Sequence, residues 1–231
     1  MSIVCSDGWR DVTFKSMASN AGKAALPVAV LADAVDRLGH RSQVMHSSVR
    51  PVVLGTPILG PAFTIQAVAH PVLSERPYEK ELAAVDSIPA GAVVVFSAGG
   101  MMETGIWGEL LSTRALARGG VGAVVDGGVR DLLGMRELGF PVFASAVHAA
   151  DSYGRAEVVS YNEPIVCGGV AVRPGDLVGA DLDGVVVIPA EVADQCLSDA
   201  AGKLEKEDQA RAMLRDDGAS VQETYARHGV L

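Results

Sequence analysis

The alternation of apolar and polar positions predicts a series of helices and strands with short connections. Apolar residues recur at three- and four-residue steps between Pro27 and Leu38, and Gly39 follows, which predicts an amphipathic helix ending near Leu38. Turn residues between positions 49 and 62 then lead into the β-prone run Phe63–Val68. The same reasoning predicts helices at Tyr78–Val85, Gly105–Arg118 and Asp131–Leu138, and strands at Ala92–Phe96 and Val121–Val125. This alternation favours right-handed crossovers in a parallel or mixed sheet.

The second half of the chain has a different pattern. Short strand-like pieces separated by Gly, Pro and Asp turns are predicted at Val142–Ala144, Glu157–Tyr161, Val170–Val172 and Val185–Ile188. A charged amphipathic helical region follows from Ala190 to Arg227, with a break near Gly218. No repeat or linker interrupts the sequence, so we expect one domain over residues 1–231, with a core at about 25–190 and a C-terminal helical region at about 190–228.

Composition narrows the class of protein. Hydrophobic residues make up 49% of the chain and aromatic residues only 5%, so we expect an aliphatic core of the α/β kind. The formal net charge of -9 has the wrong sign for binding a nucleic acid backbone. The 3 cysteines lie far apart, and neither a targeting signal nor a membrane-spanning run is visible. We therefore expect a cytoplasmic protein with no membrane and no nucleic acid partner.

The strongest candidate for chemistry is the run from Asp126 to Arg130-Asp131, which follows the predicted strand Val121–Val125. Catalytic side chains commonly lie at such strand ends. An arginine beside an aspartate could hold a carboxylate and a divalent cation side by side. The alternative is structural: Asp131 caps the next helix and Arg130 is a surface charge. The local pattern leaves both interpretations open.

A glycine-rich stretch, Ala98–Gly108, leads into the next predicted helix. It has neither the Gly-x-Gly-x-x-Gly order nor a Gly-Lys-Ser/Thr ending, so no nucleotide cofactor is predicted. Backbone N–H groups of such a loop and helix start could bind a small anion, although a tight turn is the simpler interpretation. The histidines lack metal-ligand spacing and no nucleophile elbow is present. We interpret Asp176, Asp181 and Asp183 as turn residues.

Eight short segments occur in order along the chain: LADAVDRLG (31–39), VRP (49–51), GPAFTI (60–65), WGELL (107–111), GAVVDGGVRD (122–131), PVFA (141–144), VRPGDLV (172–178) and DGVVVIP (183–189). In this order they resemble the RraA-like family, which includes the class II 4-hydroxy-4-methyl-2-oxoglutarate / 4-carboxy-4-hydroxy-2-oxoadipate aldolases. The resemblance covers roughly residues 28 to 225. It implies an α/β fold, the RraA-like swivelling β/β/α sandwich domain, assembled as a homotrimer or a hexamer with active sites between subunits.

The aldolase branch carries an acidic residue, twenty intervening positions and then Arg-Asp. Glu109 and Arg130-Asp131 match this spacing, with Glu in place of the usual Asp. The resemblance implies that Arg130 binds the substrate carboxylate and that Asp131 ligates Mg²⁺ or Mn²⁺. It implies that a glutamate from the C-terminal helix of a neighbouring subunit approaches the metal site, with Glu207 the best match and Glu205 the near alternative. The backbone amides implied to contact the pyruvyl group belong to Gly108, Glu109, Leu110 and Leu111.

The reaction implied by this resemblance is retro-aldol cleavage of a 4-hydroxy-2-oxo acid to pyruvate. Cleavage leaves the electrons of the C–C bond on C3 as the pyruvate enolate, and a divalent metal stabilises that charge as a Lewis acid. Glu109 and Glu207 are the candidates for removing the C4 hydroxyl proton, and no lysine is assigned a Schiff-base role. Oxaloacetate decarboxylation passes through the same enolate and is expected as a second activity.

The main alternative comes from the same family. RraA itself resembles this sequence but is a protein inhibitor of RNase E without catalysis, and members of that branch lack the Asp that this chain keeps at Asp131. A further family label, menaquinone-pathway methyltransferase, would require a methyl-donor loop that this sequence lacks. The Arg130-Asp131 pair therefore favours the enzyme.

Overall fold

A computed structural model describes residues 26–53, 55, 57–216 and 218–230. The helices in these ranges are α1 (Val28–Arg37), α2 (Glu79–Asp86), α3 (Glu109–Ala117), α4 (Leu132–Leu138), α5 (Ala193–Asp216) and α6 (Val221–His228), with a 3-10 turn at Ala190–Val192. The strands are β1 (Arg50–Val53), β2 (Ile58–Ala69), β3 (Val93–Trp107), β4 (Gly122–Val129), β5 (Val142–Val147), β6 (Ala156–Tyr161), β7 (Ile165–Cys167), β8 (Val170–Val172), β9 (Leu177–Asp181) and β10 (Gly184–Ile188).

One mixed sheet organises the fold. Its strand order is β1-β5-β4-β3-β2-β9-β10, and β6 pairs with the second half of β2. Neighbouring strands from β2 to β5 are parallel, whereas β1, β6, β9 and β10 pair antiparallel with their neighbours. The ends of the sheet approach each other where Arg50 Nη1 donates to the Asp183 carbonyl oxygen at 2.8 Å. The sheet is nearly closed, and the predicted parallel or mixed sheet is confirmed.

Strand β3 shows how the layers form. Successive side chains of a strand point to opposite faces of the sheet. Val93 and Val95 therefore pack in a buried cluster with residues of β7 to β10, whereas Val94 and Phe96 pack in another cluster with residues of α2, α3 and α4. Because both faces are covered, the strand has an unbroken aliphatic sequence rather than alternating polar residues. This layering confirms the α/β, β/β/α architecture expected from the resemblance.

Helices α1 and α5 cover the outer side of the β9–β10 hairpin. Leu31 of α1 belongs to one buried cluster with Leu177 and Val186 of the hairpin and with residues of α5. The Val28 amide also donates to Asp181 Oδ2 at 2.8 Å, which joins the start of α1 to the end of β9. Burying each large aliphatic side chain contributes about 1.5–3 kcal/mol. The hairpin therefore connects two helices that are far apart in the sequence.

Strand β2 begins earlier than the sequence predicted. Turns were expected through position 62, yet Arg50–Val53 forms a strand and β2 starts at Ile58, so Gly60 and Pro61 lie inside it. The first part of β2 pairs with β9 and the remainder with β3 and β6. A Cβ at Gly60 would lie 2.3 Å from the Gly91 carbonyl oxygen. Close backbone approach, rather than a turn, explains this glycine.

The glycine-rich stretch is an irregular strand rather than a loop. Strand β3 runs through Ala98–Trp107, and helix α3 begins only at Glu109, so the prediction of a helix from position 105 is wrong at its start. Strand β4 also extends past the predicted end, to Val129. Glycines let these two strands approach closely, because a Cβ at Gly128 would lie 2.4 Å from the Thr104 carbonyl oxygen.

In the described part of the chain, no helix combines the length and apolar character needed to cross a bilayer. The first ten residues and Cys5, on which the expectation about targeting and cysteine pairing partly rests, lie outside the described residues. Cys167 and Cys196 are buried in two different clusters of the core.

The close approach at Gly60 can be tested by adding one methyl group. We expect Gly60→Ala to lower the free energy of unfolding by about 1–3 kcal/mol, because the Gly91 backbone must move away. The matched control is Gly202→Ala on α5, where a Cβ meets nothing within 4 Å and alanine should stabilise the helix by up to about 1 kcal/mol. Urea unfolding of both variants gives the comparison, and equal stability changes would contradict the close approach.

Candidate active site

Three parallel strands bring the candidate chemistry to one edge of the sheet. Trp107 at the end of β3 pairs with Val129 at the end of β4, and Val129 pairs with Val147 at the end of β5. The segments that follow, residues 108–111, 130–131 and 148–151, therefore emerge side by side. The sequence prediction contained the first two segments but not the third.

Asp131 does not cap helix α4. It occupies the position before the helix, but its side chain makes no capping hydrogen bond and its φ is 60°. This left-handed conformation is uncommon for residues other than glycine. Its carboxylate lies against the backbone of Gly108, where a Cβ would be only 2.6 Å from Oδ2. The structural alternative for Asp131 is therefore wrong, and the half-exposed carboxylate remains a candidate ligand.

Arg130 lies between two carboxylates. Its Nη2 is 3.2 Å from Asp151 Oδ1, and its Nε is 3.7 Å from Asp131 Oδ2. The Arg130 amide donates to the Trp107 carbonyl oxygen at 2.9 Å, and a Cβ at Gly105 would lie 3.0 Å from Arg130 Cβ. Partly exposed ion pairs add little to stability, so the main effect of these contacts is to orient the guanidinium. Arg130 is therefore not a solvated surface charge.

Tyr78 completes a chain of polar contacts behind Arg130. Its hydroxyl donates to Asp151 Oδ2 at 2.5 Å. Partial burial and this hydrogen bond raise the pKa of Tyr78 to about 12, so the hydroxyl stays protonated. Burial opposes ionisation of Asp151, but the bond from Tyr78 and the charge of Arg130 hold the pKa of its carboxyl below the usual value. Asp151 is therefore a fixed anion that positions Arg130.

The start of α3 is held by a buried relay of hydrogen bonds. Trp107 Nε1 donates to Ser112 Oγ at 2.8 Å, and that hydroxyl donates to the Gly108 carbonyl oxygen at 2.9 Å. The first N–H groups of a helix have no intrahelical acceptor. The amides of residues 109–111 therefore begin a helix whose first turn is fixed in place beside Asp131.

A cavity of about 240 Å³ lies at this edge of the sheet. Its lining includes the three segments after the strands and part of α2: Tyr78, Glu81, Leu82, Gly105, Ile106, Trp107, Gly108, Leu110, Leu111, Arg130, Asp131, Asp151 and Ser152. Of the residues predicted from the sequence, Gly108, Leu110, Leu111, Arg130 and Asp131 are brought together here.

Glu81 is a buried carboxyl in the wall of this cavity. It lies in the first turn of α2 and is only 9% exposed. Burial, followed by the negative charge of Asp151, raises the pKa of Glu81 to about 7, although Arg130 opposes this shift. A carboxyl with this pKa exists in both protonation states near neutral pH.

The other predicted glutamates lie outside the cavity lining. Glu109 Oε1 accepts a hydrogen bond from Thr113 Oγ1 at 2.7 Å. Glu207 Oε1 is 2.9 Å from Lys203 Nζ, which also pairs with Asp33 of α1. Glu205 is exposed on α5. Within one chain, therefore, neither α5 glutamate meets Arg130 and Asp131, and their approach from a neighbouring subunit stays a prediction.

Two acidic residues outside the cavity have structural roles. Asp176 accepts hydrogen bonds from the amides of Arg173 and Ala190 at 2.7 and 3.0 Å. Asp181 accepts from the amides of Val28 and Asp183, both at 2.8 Å. The structural interpretation of Asp176 and Asp181 is confirmed, although Asp181 ends strand β9, and it is Asp183 that lies in the turn before β10.

Sequence reasoning missed Tyr78, Glu81 and Asp151. Asp151 had a usable signal, since it follows β5 much as Arg130-Asp131 follow β4, and parallel strands end at one edge. Tyr78 and Glu81 had none, because Tyr78 directly precedes, and Glu81 lies in, a short helix whose placement depends on packing against β6 and α3. Tyr78 has a φ of 63°, which the sequence does not reveal.

The donor set fits a hard divalent cation that keeps most of its water. No group of three or more His, Cys, Asp or Glu side chains arranged for a metal occurs within residues 26–53, 55, 57–216 and 218–230. Asp131 offers a half-exposed carboxylate beside an open cavity. Mg²⁺ often takes only one or two carboxylates from a protein and completes its shell with water and substrate oxygens. Asp131 is therefore suited to be such a ligand.

Comparison with known proteins decides the family. The family model described as "RraA-like: Aldolase/RraA" matches residues 28–187, which include the strands and the cavity described above. The chain belongs to the RraA-like family. The match contains Gly108, Arg130 and Asp131, whereas α5 and α6 lie beyond it.

Individual members of the RraA-like family carry different names. The chain is 32% identical over 200 residues to a Halalkalibacterium halodurans protein named "Putative 4-hydroxy-4-methyl-2-oxoglutarate aldolase", covering 87% of this chain and 90% of that protein. It is 33% identical over 168 residues to Protein DlpA of Legionella pneumophila, covering 70% of this chain but only 26% of DlpA.

A solved structure confirms the fold. Streptomyces coelicolor RraAS2, described as an unusual member of the RNase ES inhibitor RraA protein family, superposes with a TM-score of 0.71 at 31% identity. The superposition covers 79% of this chain and 91% of RraAS2. The relatives of this chain therefore include a protein described as a member of an inhibitor family as well as proteins whose names contain "Putative 4-hydroxy-4-methyl-2-oxoglutarate aldolase".

Burial of Glu81 makes folding stability depend on pH. Burial raises the pKa of Glu81 to about 7 in the folded chain, from 4.5 in the unfolded chain, so the free energy of unfolding falls as pH rises through this window. The side chain of Glu81→Gln cannot ionise, so the variant does not lose stability in this way. We expect the difference in free energy of unfolding between Glu81→Gln and the wild type to grow by about 2 kcal/mol from pH 5.5 to pH 8.5. One pKa unit corresponds to about 1.4 kcal/mol. Urea unfolding across this range measures the gain.

The control is Glu79→Gln, which removes an exposed carboxylate from the same helix. Its stability relative to the wild type should change little over the same pH range, because the Glu79 side chain is 61% exposed. Parallel pH curves for wild type and Glu81→Gln would contradict the burial of a titrating carboxyl.

Proposed function

We propose that this chain is a divalent-metal-dependent aldolase that cleaves 4-hydroxy-2-oxo acids of the 4-hydroxy-4-methyl-2-oxoglutarate type to pyruvate. Decarboxylation of oxaloacetate is the proposed second activity. The observation that carries the proposal is the placement of Arg130 and Asp131 in one cavity wall, with Asp131 packed against the backbone of Gly108. The names of several RraA-like relatives support the same activity.

Arg130 is suited to bind the substrate carboxylate. Its planar guanidinium matches a carboxylate in two parallel hydrogen bonds. The contact with Asp151 fixes its direction, and the hydrogen bond from Tyr78 fixes Asp151 in turn. The amides at the start of α3, which follows β3, offer further hydrogen-bond donors for the pyruvyl oxygens. Arg130 and these amides together hold a 2-oxo acid in one orientation.

Asp131 is the proposed protein ligand for Mg²⁺ or Mn²⁺. When bound, the cation supplies Lewis-acid stabilisation of the negative charge that develops on the 2-oxo oxygen. The close contact with Gly108 keeps the Asp131 carboxylate beside the amides that receive the pyruvyl group. A side chain at position 108 would separate these two parts of the site.

The two proposed reactions share one electron movement. In aldol cleavage, the C4 hydroxyl loses its proton, the C3–C4 bond breaks and its electron pair moves to C3. In oxaloacetate decarboxylation, loss of CO₂ leaves the electron pair on the same carbon. Groups that stabilise this charge serve both reactions, whereas a base for the hydroxyl proton serves only the first.

The second candidate function is regulation of an RNase E type nuclease by protein binding. The likeness to RraAS2 favours it. The placement of Arg130 and Asp131 weighs against it, because both line a concave cavity, which suits a small ligand better than a flat protein surface. Turnover measurements separate the two functions.

The test is pyruvate release from oxaloacetate and from 4-hydroxy-4-methyl-2-oxoglutarate, with Mg²⁺ or Mn²⁺ and without added metal. We expect metal-dependent turnover by the wild type and a loss of at least about 100-fold in Asp131→Asn for both substrates, since a metal contributes several kcal/mol of charge stabilisation. Glu137→Gln, which removes an exposed carboxylate from the adjacent helix, should keep its activity. No turnover by folded wild-type protein with either metal would overturn the aldolase proposal.

A further inference from the structure

The cavity contains one carboxyl without an assigned partner. Three carboxyl groups line it, those of Glu81, Asp131 and Asp151. Asp151 uses Oδ1 for Arg130 and for the Ser152 amide, and Oδ2 for the Tyr78 hydroxyl. Asp131 is the proposed cation ligand. Glu81 is the remaining acidic group in the lining.

The oxygens of Glu81 are accessible from the cavity. No hydrogen bond links the Glu81 carboxyl to another side chain or amide among the described residues, and these residues contain no fully buried polar atom that lacks a partner. The Glu81 oxygens therefore keep some accessible surface, and the open spaces beside this nine-tenths buried residue are the cavities that it lines.

Glu81 also lies where the cavity meets a smaller one. The second cavity, of about 30 Å³, shares Tyr78, Glu81, Ile106 and Ser152 with the first, but Arg130 does not line it. A substrate with its carboxylate on Arg130 therefore has its other end free to extend towards Glu81. In a 4-hydroxy-2-oxo acid, that part of the molecule carries the C4 hydroxyl.

We propose that Glu81 is the catalytic acid–base of this cavity, taking the C4 hydroxyl proton of the bound 4-hydroxy-2-oxo acid and returning it to C3. This inference rests on the proposed aldolase function and replaces Glu109 and Glu207 as the candidates for that step. Glu109 bonds to Thr113, and Glu207 pairs with Lys203 on α5.

The proton and electron balance closes within one turnover. The Glu81 carboxylate accepts the C4 hydroxyl proton, the oxygen's electrons form the new carbonyl, and the C3–C4 bond breaks with its electron pair on C3. The protonated Glu81 then donates to C3, which gives the methyl group of pyruvate and regenerates the carboxylate. No oxidant, reductant or further reactant is needed.

The charges around Glu81 suit both halves of this cycle. Nine other titratable or charged residues line the two cavities. They lie in α2 and just before it, directly after β2, in β6, and in the segments that follow β4 and β5: His70, Tyr78, Glu79, Lys80, Arg130, Asp131, Asp151, Tyr153 and Glu157. Burial and Asp151 favour the protonated form, whereas Arg130 favours the anion. With a pKa of about 7, Glu81 can both accept and donate a proton near neutral pH.

The test compares two substrates in Glu81→Gln. Oxaloacetate has no hydroxyl proton to remove, and its C–C bond breaks before C3 takes up a proton, which water in the open cavity can supply. Its decarboxylation should therefore fall less than about tenfold. Cleavage of 4-hydroxy-4-methyl-2-oxoglutarate should fall by about 10²–10⁴-fold, the usual contribution of a general base. In the wild type, kcat/KM for cleavage should rise with pH through about 7, and the residual rate of Glu81→Gln should lack this limb. Asp131→Asn, in contrast, should lose both reactions together.

Glu81→Asp is a second variant that keeps the test possible if Glu81→Gln does not fold. It should keep oxaloacetate decarboxylation and retain a pH-dependent part of the cleavage activity. Equal losses with the two substrates in either folded variant, or full cleavage by Glu81→Gln, would overturn the role of Glu81 while leaving the aldolase proposal intact. Absence of wild-type turnover with both substrates would overturn both proposals.

Discussion

Parallel pairing of β3, β4 and β5 is the constraint on which the site depends. It brings three strand ends to one edge, so segments separated by some twenty residues in sequence become neighbours. Glycines make the contact close enough for chemistry: at Gly108 a Cβ would collide with the Asp131 carboxylate, and at Gly105 with the His148 carbonyl oxygen at 2.7 Å. The sheet and the site are therefore products of the same backbone spacing.

The two acidic residues Asp151 and Glu81 have different roles because their surroundings differ. Asp151 stays ionised because Tyr78 and Arg130 stabilise its negative charge, and it serves to orient Arg130. Glu81 has no such partner and is buried, so its charged form is disfavoured and its proton becomes available near neutral pH. Two carboxyl groups in one cavity thus have pKa values shifted in opposite directions, an arrangement typical of acid–base sites.

Much of the fold could be predicted from periodicity, but the glycine-rich segments could not. Helix α1, strand β8 and the break near Gly218 match their predictions closely, because each depends on local pattern. Gly60, together with Ala98–Trp107, indicated turns and loops, yet these residues lie in strands. A glycine that permits a turn also permits close strand contact, and only tertiary packing decides between them.

The same limit applies to the site. The family resemblance was enough to predict Arg130 and Asp131. Tyr78 and Glu81 could not be predicted, because their positions depend on where α2 packs. A crystal structure of the protein with Mn²⁺ and pyruvate would locate both ligands, with the anomalous signal identifying manganese. We expect a manganese peak about 2.0–2.2 Å from an Asp131 carboxylate oxygen. The pyruvate carboxylate should lie on Arg130 at about 2.7–2.9 Å. Manganese and pyruvate bound elsewhere, with this cavity holding only water, would show that Arg130 and Asp131 do not form the site.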